Sequence, residues 1–270
     1  MGVRRILKLY VLYAKMDLAW LLRDKTFAIL AILTDAISNL SSVAGIFLIA
    51  WRFDGIGQMN RFEVLFMLAY ATIVMGILQT FCFGNNVGNI SRRIGRGQFE
   101  HMFIQPLPLP LQLATEGFLP FTGSSNIISG IILMTISMSN LDITLPLWFI
   151  FYFIASTAII LGLSYLVGSI AFYAPVQAEE ISSYVIDAVW YIGTFPLSGY
   201  IMIPLLTIVP TGLIAWFPTL VLLGREPFYS YYPLLFAVFI WAIAVYFFKK
   251  GLNHYVRKGI NRYHSMGHRR

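Results

Sequence analysis

Residues Arg92–Pro110 read RRIGRGQFEHMFIQPLPLP, and they lie between two long apolar runs, Phe62–Phe83 and Leu111–Met138. Arg92, Arg93 and Arg96 place this stretch on the cytoplasmic side by the positive-inside tendency. Gly95 and Gly97 break or cap a helix, and Pro106, Pro108 and Pro110 stop one. Between them, Gln98–Gln105 is long enough for about two helical turns at ~3.6 residues each. On such a helix Phe99, Met102 and Phe103 share one side, while Glu100 and His101 project elsewhere. A short, half-apolar helix held between two spans is suited to docking a soluble partner.

The composition sets the class. Of 270 residues, 58% are hydrophobic and only 11% are charged, against about a quarter charged in a soluble domain. The apolar runs recur along the whole length, which predicts one all-α polytopic membrane domain over residues 1–270 and excludes a soluble domain on an anchor. The net charge of +7 does not point to nucleic acid, because the basic residues sit at span ends and in the tail, where orientation and anionic headgroups account for them. One cysteine, Cys82, excludes an intramolecular disulfide and a multi-cysteine metal site. The N-terminus lacks the compact apolar core of a cleavable signal.

Arg4–Arg23 is predicted as an amphipathic interfacial helix. Ile6, Leu7, Tyr10, Ala14, Leu18 and Leu21 recur at three- and four-residue spacing, with Arg5, Lys8 and Lys15 opposite and Trp20 at headgroup depth. The first span is Thr26–Trp51. It carries Asp35 and Asn39, and a central aspartate costs around 2.5–3.5 kcal/mol to insert, so that face turns to protein or water. Asp35 reads equally as a pathway group or as a neutral acid paired with a neighbouring helix. Phe62–Phe83 is the second span and Leu111–Met138 the third. Glu116 falls near the inner end of the third, and Gly123, Ser125, Asn126 and Gly130 give it a small, polar middle suited to close helix contact.

Leu145–Tyr173 is the fourth span. The acidic Ala174–Ser183 reads as an inner loop, either a second docking element or a capped turn. Ile181–Leu197 is the fifth span, with Asp187 near its inner end. Ser198–Leu223 is apolar but interrupted by Pro204, Pro210 and Pro218. It is predicted as a re-entrant outer hairpin whose turn is buried by protein. Pro233–Phe248 is the sixth span. With this layout, only Arg52, Arg61 and Arg225 of the nineteen Lys and Arg fall outside. So strong a bias predicts six transmembrane helices with both termini cytoplasmic.

This order of parts resembles the membrane subunit of type-2 ATP-binding-cassette (ABC) exporters. The resemblance rests on Ile94–Leu107, a basic residue and glycine followed by a short apolar helix and a proline, and on the proline-punctuated block from Phe195 to Arg225. Glu100 stands where that pattern more often has Asp. The likeness implies a coupling helix at residues 92–105, docked on a separate ATPase through Arg96, Gln98, Phe99, Glu100, His101, Met102 and Phe103. It implies a second permease subunit, identical or homologous, and a bacterial cell-membrane location. The ATP and Mg would be bound by the partner ATPase.

No run of glycines followed by Lys and Ser or Thr is present to cradle phosphates, so the chain itself is not expected to be an enzyme. His101, His254, His264 and His268 show no metal-ligand spacing. Asp35, Asn39, Glu116, Ser125 and Asn126 are the candidate pathway or helix-pairing residues. A competing reading makes the chain an ion-coupled secondary transporter using Asp35, Glu116 and Asp187, although no internal repeat supports it.

Overall fold

The computed structural model describes residues 3–82, 90–196, 202–226 and 229–258. Phe83, the Leu197–Ile201 end of the fifth span and start of the proline-rich block, and the tail residues Arg262, His264, His268, Arg269 and Arg270 lie outside them. The described chain is almost wholly helical. Helix α1 (Val3–Leu21) precedes α2 (Lys25–Arg52), whose first turn is capped by the Asp24 carboxylate accepting from the Thr26 and Phe27 amides. A two-residue hairpin, β1 (Gly55–Ile56) with β2 (Met59–Asn60), leads into α3 (Arg61–Cys82). Asn60 Oδ1 accepts from the Glu63 amide and Glu63 accepts from the Asn60 amide, a reciprocal capping box.

Next come α4 (Ile90–Gly95), α5 (Glu100–Phe103), α6 (Leu109–Thr115) and α7 (Ser125–Leu141). Helix α8 (Ile150–Gly168) carries a short 3-10 turn at each end, and α9 (Pro175–Gly193) follows. Two short helices, α10 (Met202–Thr207) and α11 (Trp216–Leu222), precede the long α12 (Tyr232–Lys258).

Four helical stretches are long and apolar enough to cross a membrane: Lys25–Arg52, Arg61–Cys82, Leu147–Phe172 and Tyr232–Lys258. They coincide with the first, second, fourth and sixth predicted spans. Helix α7, at 17 residues, is shorter, and α9 carries Glu179, Glu180 and Asp187.

Three expectations are corrected. The third span is not one helix from Leu111 to Met138, because residues 116–124 form a non-helical break between α6 and α7. Pro120 lacks the amide a continuing helix needs, and Gly117 and Gly123 weaken the same stretch. Ala174–Ser183 is not a loop: Pro175 opens α9, a favoured first-turn position. The final helix does not stop at Phe248 but runs on to Lys258.

Helix α3 packs along α7, and α12 along α8, around one large apolar core. The α3–α7 contact depends on close backbone approach. A Cβ on Gly76 would lie 2.5 Å from the Ile127 amide, and one on Gly130 would lie 2.9 Å from the Ile73 amide. Helix α11 is buried in the same core and ends in a Schellman turn, with Gly224 at φ +73° and Arg225 N donating to Leu220 O. That turn delivers the Arg225 guanidinium to Glu63 at 2.7 Å and to the Gln58 carbonyl. It thereby ties the start of α3 to the end of α11. By contrast α2 leaves most of its apolar surface uncovered, with only Ala28, Val43 and Ala50 buried among its apolar residues.

Gly76→Val should therefore lower the melting temperature of the detergent-purified chain by several degrees, since overpacking a close contact costs about 1–3 kcal/mol. Gly45→Ala, where a Cβ meets nothing within 4 Å, should melt with the wild type.

Candidate functional site

The stretch between α3 and α6 is built differently from its sequence expectation. Gln98–Gln105 does not make two turns. Helix α4 ends in a second Schellman turn, with Gly97 at φ +70°, Gln98 N donating to Arg93 O, and Gly97 N to Ile94 O. A single helical turn, α5, follows, and Pro106 and Pro108 end it.

The apolar side of α5 points inward. Phe99 and Met102 are fully buried with Ile90, Ile94, Phe172 and Tyr255 in a small core of their own. Phe99 stands edge-on to Phe172 and Phe248 at 6.0 and 6.1 Å. This corrects the expectation that Phe99 and Met102 form an outward docking face. Apolar side chains at a helix end are better covered by the ends of neighbouring helices than left in water. The outward surface is instead Arg96, Gln98, His101, Phe103, Ile104 and Gln105, all exposed. Ile104 is the extreme case at 85%.

Polar links fasten this segment to three helices, α6, α9 and α12. Arg93 donates to Glu116 at 2.7 Å, just past α6, and both side chains are largely buried. Arg92 donates to Glu179 of α9 at 3.0 Å, and Ser91 bonds Ser182 at 2.6 Å. Tyr255 of α12 donates to Glu100 at 2.8 Å. Gln112 of α6 donates to the Met102 and Leu107 carbonyls at 2.8 and 2.6 Å. The first of these satisfies one of the carbonyls that a one-turn helix leaves open, and the second fastens the loop beyond it. Glu116, Glu179 and Gln112 have no partner legible in sequence, since the groups they meet lie up to 87 residues away.

A second polar junction holds α1 against the break in the third span. Asp17 is buried and accepts from the Phe121 amide at 2.8 Å, the Thr122 amide at 3.2 Å and the Thr122 hydroxyl at 2.7 Å. Periodicity alone gives Asp17 no role, although a carboxylate on the apolar face between Ala14 and Leu18 is itself a signal of buried donors. Tyr10 packs edge-on to Phe118 at 4.9 Å. Burial, and then the Glu116 charge, push the Tyr13 phenol above its ordinary range, so it stays protonated.

The remaining candidates sit farther along the helices. Asp35 is exposed on α2 and accepts from Ser125 at 3.1 Å. Asn126 donates to Gln79 across the α3–α7 contact. Asn39 has a buried amide nitrogen with no partner among the described residues. The structure brings Asp35 to Ser125 and leaves Glu116 with Arg93, so these two acids belong to separate places. Among the described residues no cluster of His, Cys, Asp or Glu is arranged to hold a metal.

A family model described as ABC-2 family transporter protein matches residues 36–259, from within α2 to the end of α12. The chain belongs to the ABC-2 transporter family. It is a membrane component of an ABC transporter, and such permeases work with an ATPase subunit. No significant match exists among curated proteins or solved structures.

Phe99→Glu should abolish the folded, monodisperse chain in size-exclusion chromatography, because it places an unpaired charge in the aromatic core. Arg96→Glu, one turn away but exposed, should elute as wild type. Normal elution of Phe99→Glu would show that the core tolerates opening.

Proposed function

We propose that this chain is the permease subunit of an ATP-driven exporter in a bacterial cell membrane. It spans the bilayer six times with both termini cytoplasmic, and α10 and α11 form a re-entrant outer hairpin. Helices α7 and α9 supply the third and fifth crossings. Two such subunits, identical or homologous, assemble with ATPase subunits that bind the ATP and Mg.

The observation that carries the reading is the construction of α5. Its inner side is buried against the ends of other helices, and its outer side presents Phe103, Ile104 and His101 uncovered. A cytoplasmic ATPase docks on that outer side. When the ATPase subunits close on ATP, they displace α5. Phe99 and the Glu100–Tyr255 bond carry the displacement to α12. Arg93–Glu116 carries it to α6, and Arg92–Glu179 to α9. Packed elements of this kind shift as units between discrete arrangements, which is how a local push becomes an inward-to-outward change.

The test is co-purification with the cognate ATPase. Ile104→Asp and Phe103→Asp should each lower the amount of ATPase recovered with the tagged permease at least tenfold, with an unchanged melting temperature. Leu147→Asp, equally exposed but far along the chain, should recover the ATPase normally. Undiminished recovery by both α5 variants would refute docking at this surface.

A further inference from the structure

Two cavities flank α2. The first, of about 780 Å³, opens between α1, α2 and the break at residues 116–124. Trp20, Phe27, Phe118 and Phe121 give it aromatic walls, and Asp35 gives it a carboxylate. The second, of about 530 Å³, lies among α2, α3, α8 and α9, with Asn39 and Asp187 in its lining. Gln79 borders both, so they adjoin. Asp35 and Asn39 are four residues apart on α2, so one turn of helix carries a polar handhold from the first cavity to the second.

The charge of this lining runs against the charge of the chain. The protein has 19 Lys and Arg against 12 Asp and Glu. Yet among the described residues no Lys, Arg or His borders either cavity, while Asp17, Asp35 and Asp187 do. Asp17 is spoken for by its three donors. Among the described residues Asp35 accepts from the Ser125 hydroxyl, and neither Asp35 nor Asp187 lies in an ion pair. With α2 and α9 as the first and fifth crossings proposed above, a carboxylate within a span is expensive to keep without a countercharge. Asn39 adds a buried amide nitrogen without a partner at the boundary of the second cavity. Aromatic walls beside a carboxylate are a binding environment for organic cations, through ring faces and charge together.

We infer that the cargo is a lipophilic organic cation, taken up in the first cavity with its positive group on Asp35 and its apolar body among Trp20, Phe27, Phe118 and Phe121. It passes to the second cavity by way of Asn39 towards Asp187. The Asp17 clamp holds α1 against the 116–124 break and so keeps the first cavity open in shape. The inference rests on the permease reading for the route and extends it to the class of cargo.

The experiment uses two probes of the same shape and opposite charge, tetraphenylphosphonium and tetraphenylborate. Each is titrated against the full chain in phosphatidylcholine nanodiscs, with empty discs subtracted. The expected result is saturable binding of the phosphonium and none of the borate. Asp35→Asn should weaken phosphonium binding at least tenfold, Asp35→Glu should stay within about threefold of wild type, and Asp142→Asn, in a distant turn, should change nothing. Saturable binding of both ions, of neither, or of the phosphonium to Asp35→Asn at wild-type strength would overturn the inference. The wild-type comparison decides even if a variant fails to fold. ATPase recovery is measured on the same preparations. An assembled complex without cation preference sinks the cargo class alone, whereas cation binding without any ATPase association supports the site and sinks the permease reading.

Discussion

Phe99 meets Phe172 and Phe248 edge-on in a core separate from the main one. That contact is what makes a one-turn helix part of the bundle. A four-residue helix has no stability of its own, because nucleating a turn is unfavourable and four residues gain little in return. Its position is therefore set from outside, by aromatic burial and by Gln112 donating to the Met102 carbonyl. The ion pairs around it add direction more than strength. Each reaches a different helix, so α5 cannot shift without disturbing α6, α9 and α12 together. A rigid knob on a long loop would lack this property.

The break in the third span follows a related logic. Pro120 and its flanking glycines forbid a continuous helix, and the amides so released need acceptors. Asp17 supplies one for two successive amides, and Thr80 supplies its carbonyl to Leu119 at 2.7 Å. The cost of interrupting a helix is thus met by docking α1 at the interruption. The same arrangement leaves room beside α2, which touches the bundle lightly.

Much of this was legible in the sequence. Long apolar runs gave α2, α3, α8 and the start of α12 within a few residues, because length and hydropathy alone decide them, whereas the basic end of α12 beyond Phe248 carries no such signal. The amphipathic α1 was readable from its period. What escaped was set by partners distant in sequence. Phe99 and Met102 share a face in any helical reading, but whether that face turns outward depends on Phe172 and Phe248. Glu116 and Glu179 look like span or loop acids until Arg93 and Arg92 are placed beside them. Asp17 looks like a flaw in an apolar stripe until the 116–124 break supplies its donors. Pattern reveals periodicity, and only packing reveals which way it faces.

At the far end of α3, Arg225 grips Glu63 and the Gln58 carbonyl, joining two segments more than 160 residues apart. Such a clamp at one end of a helix would serve as a fulcrum for any tilt of the rest. Helix α3 has 22 residues, or about 33 Å at ~1.5 Å per residue, so a tilt of about 5° about that point carries its other end through about 3 Å. A swing that small at Gln79, which lines both cavities, would change their shared wall by about the width of a methyl group.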